Sequence, residues 1–86
     1  MSENAEEIQE RIRQFFIGHA WLHKDEALAA SDSLLEKGVI DSMAMVELTG
    51  FIGSTYGFEI PDEDLMPEHF DSLSAIATYI LEKQGS

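Results

Sequence analysis

The stretch EKGVIDSMAMVEL, residues 36–48, passes from a glycine through an apolar pair into Asp41-Ser42, and then into apolar positions spaced as on a helix. The same Asp-Ser-hydrophobic tripeptide stands at Asp32-Ser33-Leu34 and at Asp71-Ser72-Leu73. Each precedes a helical run, where aspartate and serine oxygens accept hydrogen bonds from the first unpaired N–H groups, so helix capping accounts for all three. The fold follows from the apolar periods around these starts.

Downstream, with Asp41 or Ser42 as cap, Met45, Leu48, Ile52 and Tyr56 keep helical register. Gly50 and Gly53 lie inside this helix, each costing it about 1 kcal/mol relative to alanine. Close backbone packing, or a site kept open for a guest molecule, would compensate. FEIPDEDLMPEHF, residues 58–70, reads as extended because Pro61 restricts the residue before it, with one short turn around Glu63 to Met66. Asp71 or Ser72 then caps a last helix whose Leu73, Ile76, Ala77, Ile80 and Leu81 form an apolar stripe.

Upstream, residues 2–20 open with Ser2 or Asn4 as cap and carry Glu3, Glu6 and Glu7 in the first turn, where acids complement the helix dipole. Ile8, Ile12, Phe15, Phe16 and His19 share one face, and Gly18 marks the end. From Trp21 to Ile40 no period holds. A connecting loop is expected there, with one helical turn started by Ser31 or Ser33 and ended by Gly38, packed by Trp21, Leu28, Leu34 and Leu35.

No strand alternation competes with these patterns. The fold class is all-α: a small helical bundle with three principal helices and one or two short ones, residues 1–86 forming a single domain. With no cysteine there is no disulfide, thiolate metal site or thiol nucleophile, so any sulfur chemistry needs a borrowed thiol. The opening MSENAEEIQE lacks the basic start and apolar run of a secretory leader, and no apolar stretch approaches membrane-spanning length. A soluble, cytoplasmic monomer is expected.

Seventeen acidic against 5 basic residues give a formal net charge of −12, which argues against nucleic-acid binding. Gly38 to Glu82 contains no lysine or arginine. That one-sign segment reads either as a solvated face or as a docking surface for basic partners. Within it Ser42 differs in context from the other two serines: it leaves the long loop, follows Gly38 and begins the segment without cations. A helix N-terminus, with its unpaired N–H groups and positive partial charge, suits a phosphate on Ser42. Asp41 beside it opposes that anion, so its role is capping or enzyme recognition.

DSLLEKGVIDSMAMVEL at residues 32–48, YGFEIPDEDL at 56–65 and FDSLSAIATYI at 70–80 together resemble the acyl carrier proteins and the related aminoacyl and peptidyl carriers. The resemblance runs from about Ile8 to Leu81, with the three pieces in order. It implies that a phosphopantetheinyl transferase attaches 4'-phosphopantetheine from coenzyme A to Ser42, with Asp41 part of the motif. The borrowed thiol would carry an acyl or aminoacyl group as a thioester. A ligase or transferase would load it, and enzymes of a fatty-acid, polyketide or specialised pathway would use it. Ser33 and Ser72 fall on structural positions. Met43, Glu47, Asp62, Glu63 and Asp64, with Glu68 beside them, are the candidate docking residues. Fatty-acid carriers place further acids along the helix after the serine, where this chain has Ala44, Gly53 and Ser54, which implies a dedicated partner set.

Other chemistry finds little support. Ser42 lies in no Gly-x-Ser-x-Gly turn and has no histidine near it in sequence, so an enzyme is not expected. His19 and His23 lack an evident third metal ligand, and Asp62-Glu63-Asp64 lacks the glycine and terminal glutamate of a calcium loop. Val46, Leu48, Ile52 and Ile60 would line either a core or a guest site. The competing reading from another class is a non-carrier acidic helical module that binds a basic protein surface and leaves Ser42 bare.

Overall fold

The computed structural model describes residues 4–85. The first helix, α1 (Ala5–Gly18), starts on a capping box: the Asn4 side chain accepts from the Glu7 N–H at 2.8 Å while the Glu7 carboxylate accepts from the Asn4 N–H at 3.1 Å. Asn4 is thus the cap, and the other candidate, Ser2, lies outside the described residues together with Glu3. Ile8, Ile12 and Phe16 are buried along one face. Gly18 ends the helix, but the left-handed residue that turns the chain is Ala20, at φ 62°. Ala20 tolerates that conformation because its N–H and that of Trp21 still bond to the carbonyls of Ile17 and Phe16.

Loop 20–40 is irregular but heavily tied. Leu34 is fully buried, and its carbonyl accepts the N–H of Val39 at 2.9 Å. Ser33 starts the expected helical turn, its hydroxyl taking the Glu36 N–H, and Gly38 closes it at φ 72°. Leu35, expected to pack the loop, is instead 41% exposed.

The second helix, α2 (Ser42–Tyr56), buries Leu48 and Ile52 of the expected register, with Ala44 in addition, while Met45 and Tyr56 are half-buried. Its Phe51 stacks on Phe15 of α1 with centroids 4.3 Å apart. After Gly57, left-handed at φ 77°, the chain returns through a 3-10 turn (Asp62–Asp64) to the short α3 (Pro67–Phe70). Residues 67–70 read as extended in the sequence. Four residues are too few to display a period, although a proline at a first helical position is the signal for such a start. The last helix, α4 (Leu73–Gly85), buries Leu73, Ile76, Ala77, Tyr79 and Ile80 and packs chiefly against α1 and α3.

These helices and the Leu22, Leu34, Val39 and Ile40 side chains of the loop share one apolar core. The all-α bundle of three principal helices is therefore present as expected. No helix among the described residues is long and apolar enough to cross a membrane.

Candidate functional site

The three Asp-Ser pairs, locally alike in sequence, have three different fates. The Ser33 hydroxyl lies between the carboxylate oxygens of Asp71, at 3.0 and 2.8 Å. Asp71 also accepts the Leu35 N–H at 3.0 Å, and its carbonyl accepts that of Leu34 at 2.7 Å. Ser72 caps α4 by accepting the Ala75 N–H at 3.0 Å. Both of these hydroxyls are half-buried and engaged. Ser42, in contrast, is exposed, and among the described residues its hydroxyl has no hydrogen-bond partner.

Asp41, not Ser42, is the cap of α2. Its extended backbone (φ −135°, ψ −169°) lets the carboxylate accept the Ala44 N–H at 2.9 Å while its carbonyl takes that of Met45. Ser42 is left at the first helical position with its side chain pointing to solvent. Three and two residues upstream, Val39 and Ile40 are buried and anchor the chain, so the serine is presented from a fixed backbone.

The surroundings suit a phosphate ester. The first turn of α2 holds no acidic side chain, and the N–H groups of Ser42 and Met43 have no acceptor among the described residues. One oxygen of the Asp41 carboxylate is engaged in the capping bond. Asp41, Ser42, Met43 and Glu47 come together at the start of α2, where Met43 is 80% exposed and Val46 67%. An apolar outer surface results, with Glu47 its one carboxylate within α2 and Asp41 at the cap.

Glu47 is not isolated. His19 at the end of α1 places Nε2 3.5 Å from its carboxylate, while His19 Nδ1 lies 3.0 Å from the Phe15 carbonyl. A carbonyl requires Nδ1 to be the donor, so Nε2 attracts Glu47 when the ring is protonated on both nitrogens. His19 thus lies near the start of α2 in space, a proximity the sequence does not reveal.

Asp62 and Glu63 are exposed on the 3-10 turn, on a different element from Ser42. Asp64, expected to face a partner, turns toward α4: Tyr79 donates to its carboxylate at 2.6 Å, and Lys83 Nζ lies 3.4 Å away. The phenol bond holds the Asp64 carboxyl below its usual range, with Lys83 and His69 adding to the effect. Burial, and then the neighbouring carboxylate, push the Tyr79 phenol up.

The chain lacks acids at two of the three positions noted above for a steric reason. Ala44 is buried, and a Cβ on Gly53 would meet the Phe58 carbonyl oxygen at 2.9 Å. Of the four apolar residues that would line a core or a guest site, Leu48 and Ile52 are fully buried. Val46 and Ile60 instead border an open groove between α2 and the segment after it.

Of the three Asp-Ser serines in this small helical bundle, Ser42 alone offers an unbonded hydroxyl at a helix start. Residues 20–80 match the family described as phosphopantetheine attachment site, and the chain belongs to that family. It is a phosphopantetheine carrier, and its cofactor is covalently attached 4'-phosphopantetheine. Among the solved structures that share the fold, two are described. One is the solution structure of a holo acyl carrier protein from Nitrosomonas europaea, at 21% identity and TM-score 0.72, covering 99% of this chain and 100% of that one. The other is a chain in a crystal structure described as an FAD-dependent dehydrogenase, at 32% identity and TM-score 0.69, covering 80% of this chain and 97% of that one. A search of curated proteins gave no match.

Proposed function

We propose that Ser42 is the attachment residue and that residues 1–86 act as one carrier domain, holding an acyl or aminoacyl group for the enzymes of a biosynthetic pathway. One observation carries this: of the three Asp-Ser pairs, only Ser42 has an exposed hydroxyl without an intramolecular bond, at the start of a long helix. In the modification Ser42 Oγ attacks the pantetheine-bearing phosphorus of coenzyme A, forming a P–O bond. Adenosine 3',5'-bisphosphate leaves, and the serine proton passes to the transferase. The attached group supplies the terminal thiol that carries the cargo, which a chain without cysteine cannot provide itself.

The chain's own residues do the rest. Asp41 closes the helix start and leaves the Ser42 and Met43 N–H groups for the phosphate oxygens. Val39 and Ile40 keep the serine at a fixed point on the surface. Met43 and Glu47 meet the transferase, with Asp62 and Glu63 adding negative charge and Asp64 spent largely within the chain.

The pathway is of the fatty-acid, polyketide or specialised kind. The description of the 32% identical neighbour favours one class of downstream enzyme, a flavin-dependent dehydrogenase acting on the carried group. Its action would leave the loaded carrier lighter by two hydrogens.

Intact mass after incubation with coenzyme A, magnesium and a broad-specificity phosphopantetheinyl transferase tests the site. One adduct is expected on the native chain, on Ser33→Ala and on Ser72→Ala, and none on Ser42→Ala. An unmodified native chain, beside a modified control carrier, would favour the acidic binding module instead.

A further inference from the structure

His19 stands where three kinds of group that attract a cation converge. Its ring centroid lies 4.2 Å from that of Phe15 and 4.9 Å from that of Trp21. It closes α1, at the end where the last helical carbonyls carry negative partial charge. Its Nδ1 is 3.0 Å from the Phe15 carbonyl, which leaves Nε2 to face the Glu47 carboxylate of α2 at 3.5 Å. Among the described residues Glu47 is the charged group paired with His19, and Phe15 and Trp21, its ring neighbours from α1 and loop 20–40, are uncharged.

Glu47 lies close to the attachment residue. It is five residues beyond Ser42, about 7–8 Å along the helix axis. With Asp41, Met43 and Trp21 it borders a cleft of about 480 Å³ at the start of α2. Asp41, the other carboxylate on that cleft, already gives one oxygen to the Ala44 N–H.

An imidazole changes charge between about pH 5 and 8. A neutral ring with its proton on Nδ1 turns a lone pair toward Glu47 and has no hold on it. The doubly protonated ring donates from Nε2 and pairs with the carboxylate. The two side chains are 41% and 60% exposed, so water competes and the pair can change an equilibrium only a few-fold. A contact of that strength opens and closes readily.

We propose that His19 is a positioning residue for the modification of Ser42: protonated, it draws the Glu47 carboxylate toward α1 and away from the transferase, and neutral, it leaves that carboxylate free to meet a basic surface. The proposal rests on attachment at Ser42 and on Glu47 facing the transferase. Its test is kcat/KM for modification from about pH 5.5 to 8.5, comparing the native chain with His19→Phe, which keeps a ring against Phe15 and Trp21 but carries no charge. The ratio of the two cancels the transferase's own pH dependence. It should be near one at about pH 8.5 and fall about two- to fivefold by about pH 5.5, through KM with kcat unchanged. His19→Lys should hold the lower value at every pH, and it serves as the comparison should His19→Phe fail to fold. In a Glu47→Gln background His19→Phe should change nothing. A ratio independent of pH, with Glu47→Gln still modified more slowly than the native chain, would overturn the role of His19 and leave Ser42 and Glu47 standing. A ratio that moves equally in the Glu47→Gln background would also overturn it, because His19 would then act without Glu47. A chain that takes no adduct at Ser42 would overturn this proposal and the attachment site together.

Discussion

The Ser33 hydroxyl sits 3.0 and 2.8 Å from the two carboxylate oxygens of Asp71, joining loop 20–40 to the start of α4 across 38 residues of sequence. The same carboxylate takes the Leu35 N–H, and the Ser33 oxygen takes that of Glu36. One aspartate thereby holds the loop that delivers Ser42.

Asp71→Ala removes an ionised acceptor from two donors at once. It should cost about 1.5–3 kcal/mol, since hydrogen bonds to charged groups are the stronger kind. For a domain of this size that is a fall of about 6–24 °C in Tm. Thermal denaturation followed by circular dichroism measures it. Ser33→Ala should cost less, because Leu35 keeps its acceptor. Equal Tm values for Asp71→Ala and the native chain would mean that the buried Leu34, Val39 and Ile40 hold the loop unaided.

The two helical glycines of α2 should respond in opposite directions to alanine. Gly50→Ala meets open space and gains helix propensity, so it should stabilise by about 0.5–1 kcal/mol. Gly53→Ala places Cβ 2.9 Å from the backbone oxygen of Phe58, which must move, and overpacking of this kind costs about 1–3 kcal/mol. Denaturant midpoints at constant slope would separate the two. A stabilising Gly53→Ala would show that segment 57–60 yields easily.

The Asp64–Tyr79 bond makes stability depend on pH at both ends of the range. Asp64 has a folded value below its unfolded one, so its contribution is present above the unfolded carboxylate range and is lost as pH falls through the depressed folded value. Tyr79 has a folded value above its unfolded one. Its contribution is complete below about pH 10 and is lost as pH rises from there toward the raised value. Tyr79→Phe should lower Tm near neutrality, with the difference from the native chain shrinking in strong acid and in strong alkali. A difference independent of pH would reduce the bond to packing of the ring.

Much of the bundle is legible in the sequence because it is local. The capping box of α1 and the stripes of α1 and α4 repeat within a few residues, as does the Asp41 start of α2. The register of α2 is harder to read. Met43 and Val46 are apolar yet exposed, while Ala44, too small to stand out, is buried. The distinction between Ser33 and Ser42 is not local, whereas Ser72 is engaged by a cap three residues on. What separates them is a carboxylate 38 residues from Ser33, and no spacing rule records that contact. The resemblance to carriers singles out Ser42, and the hydrogen bonds supply a physical reason. The inward bonds of Asp64 are hidden from the sequence for the same kind of reason, because its partners Tyr79 and Lys83 lie on another helix.

Glu47 is the one carboxylate on the outer face of the first turns of α2, beside the exposed Met43 and Val46. If the transferase presents a basic surface there, Glu47→Lys reverses the attraction at the rim of the contact. Rim charges act mainly on the association rate, so kcat/KM for modification should fall about tenfold. The loss should shrink as salt is raised, because the exposed charge is screened. His19→Ala separates charge from structure: it removes the imidazole that lies 3.5 Å from the Glu47 carboxylate and should leave modification equal to or faster than in the native chain. A Glu47→Lys chain modified at the native rate in low salt would mean that the apolar pair Met43 and Val46 makes the contact without help from charge.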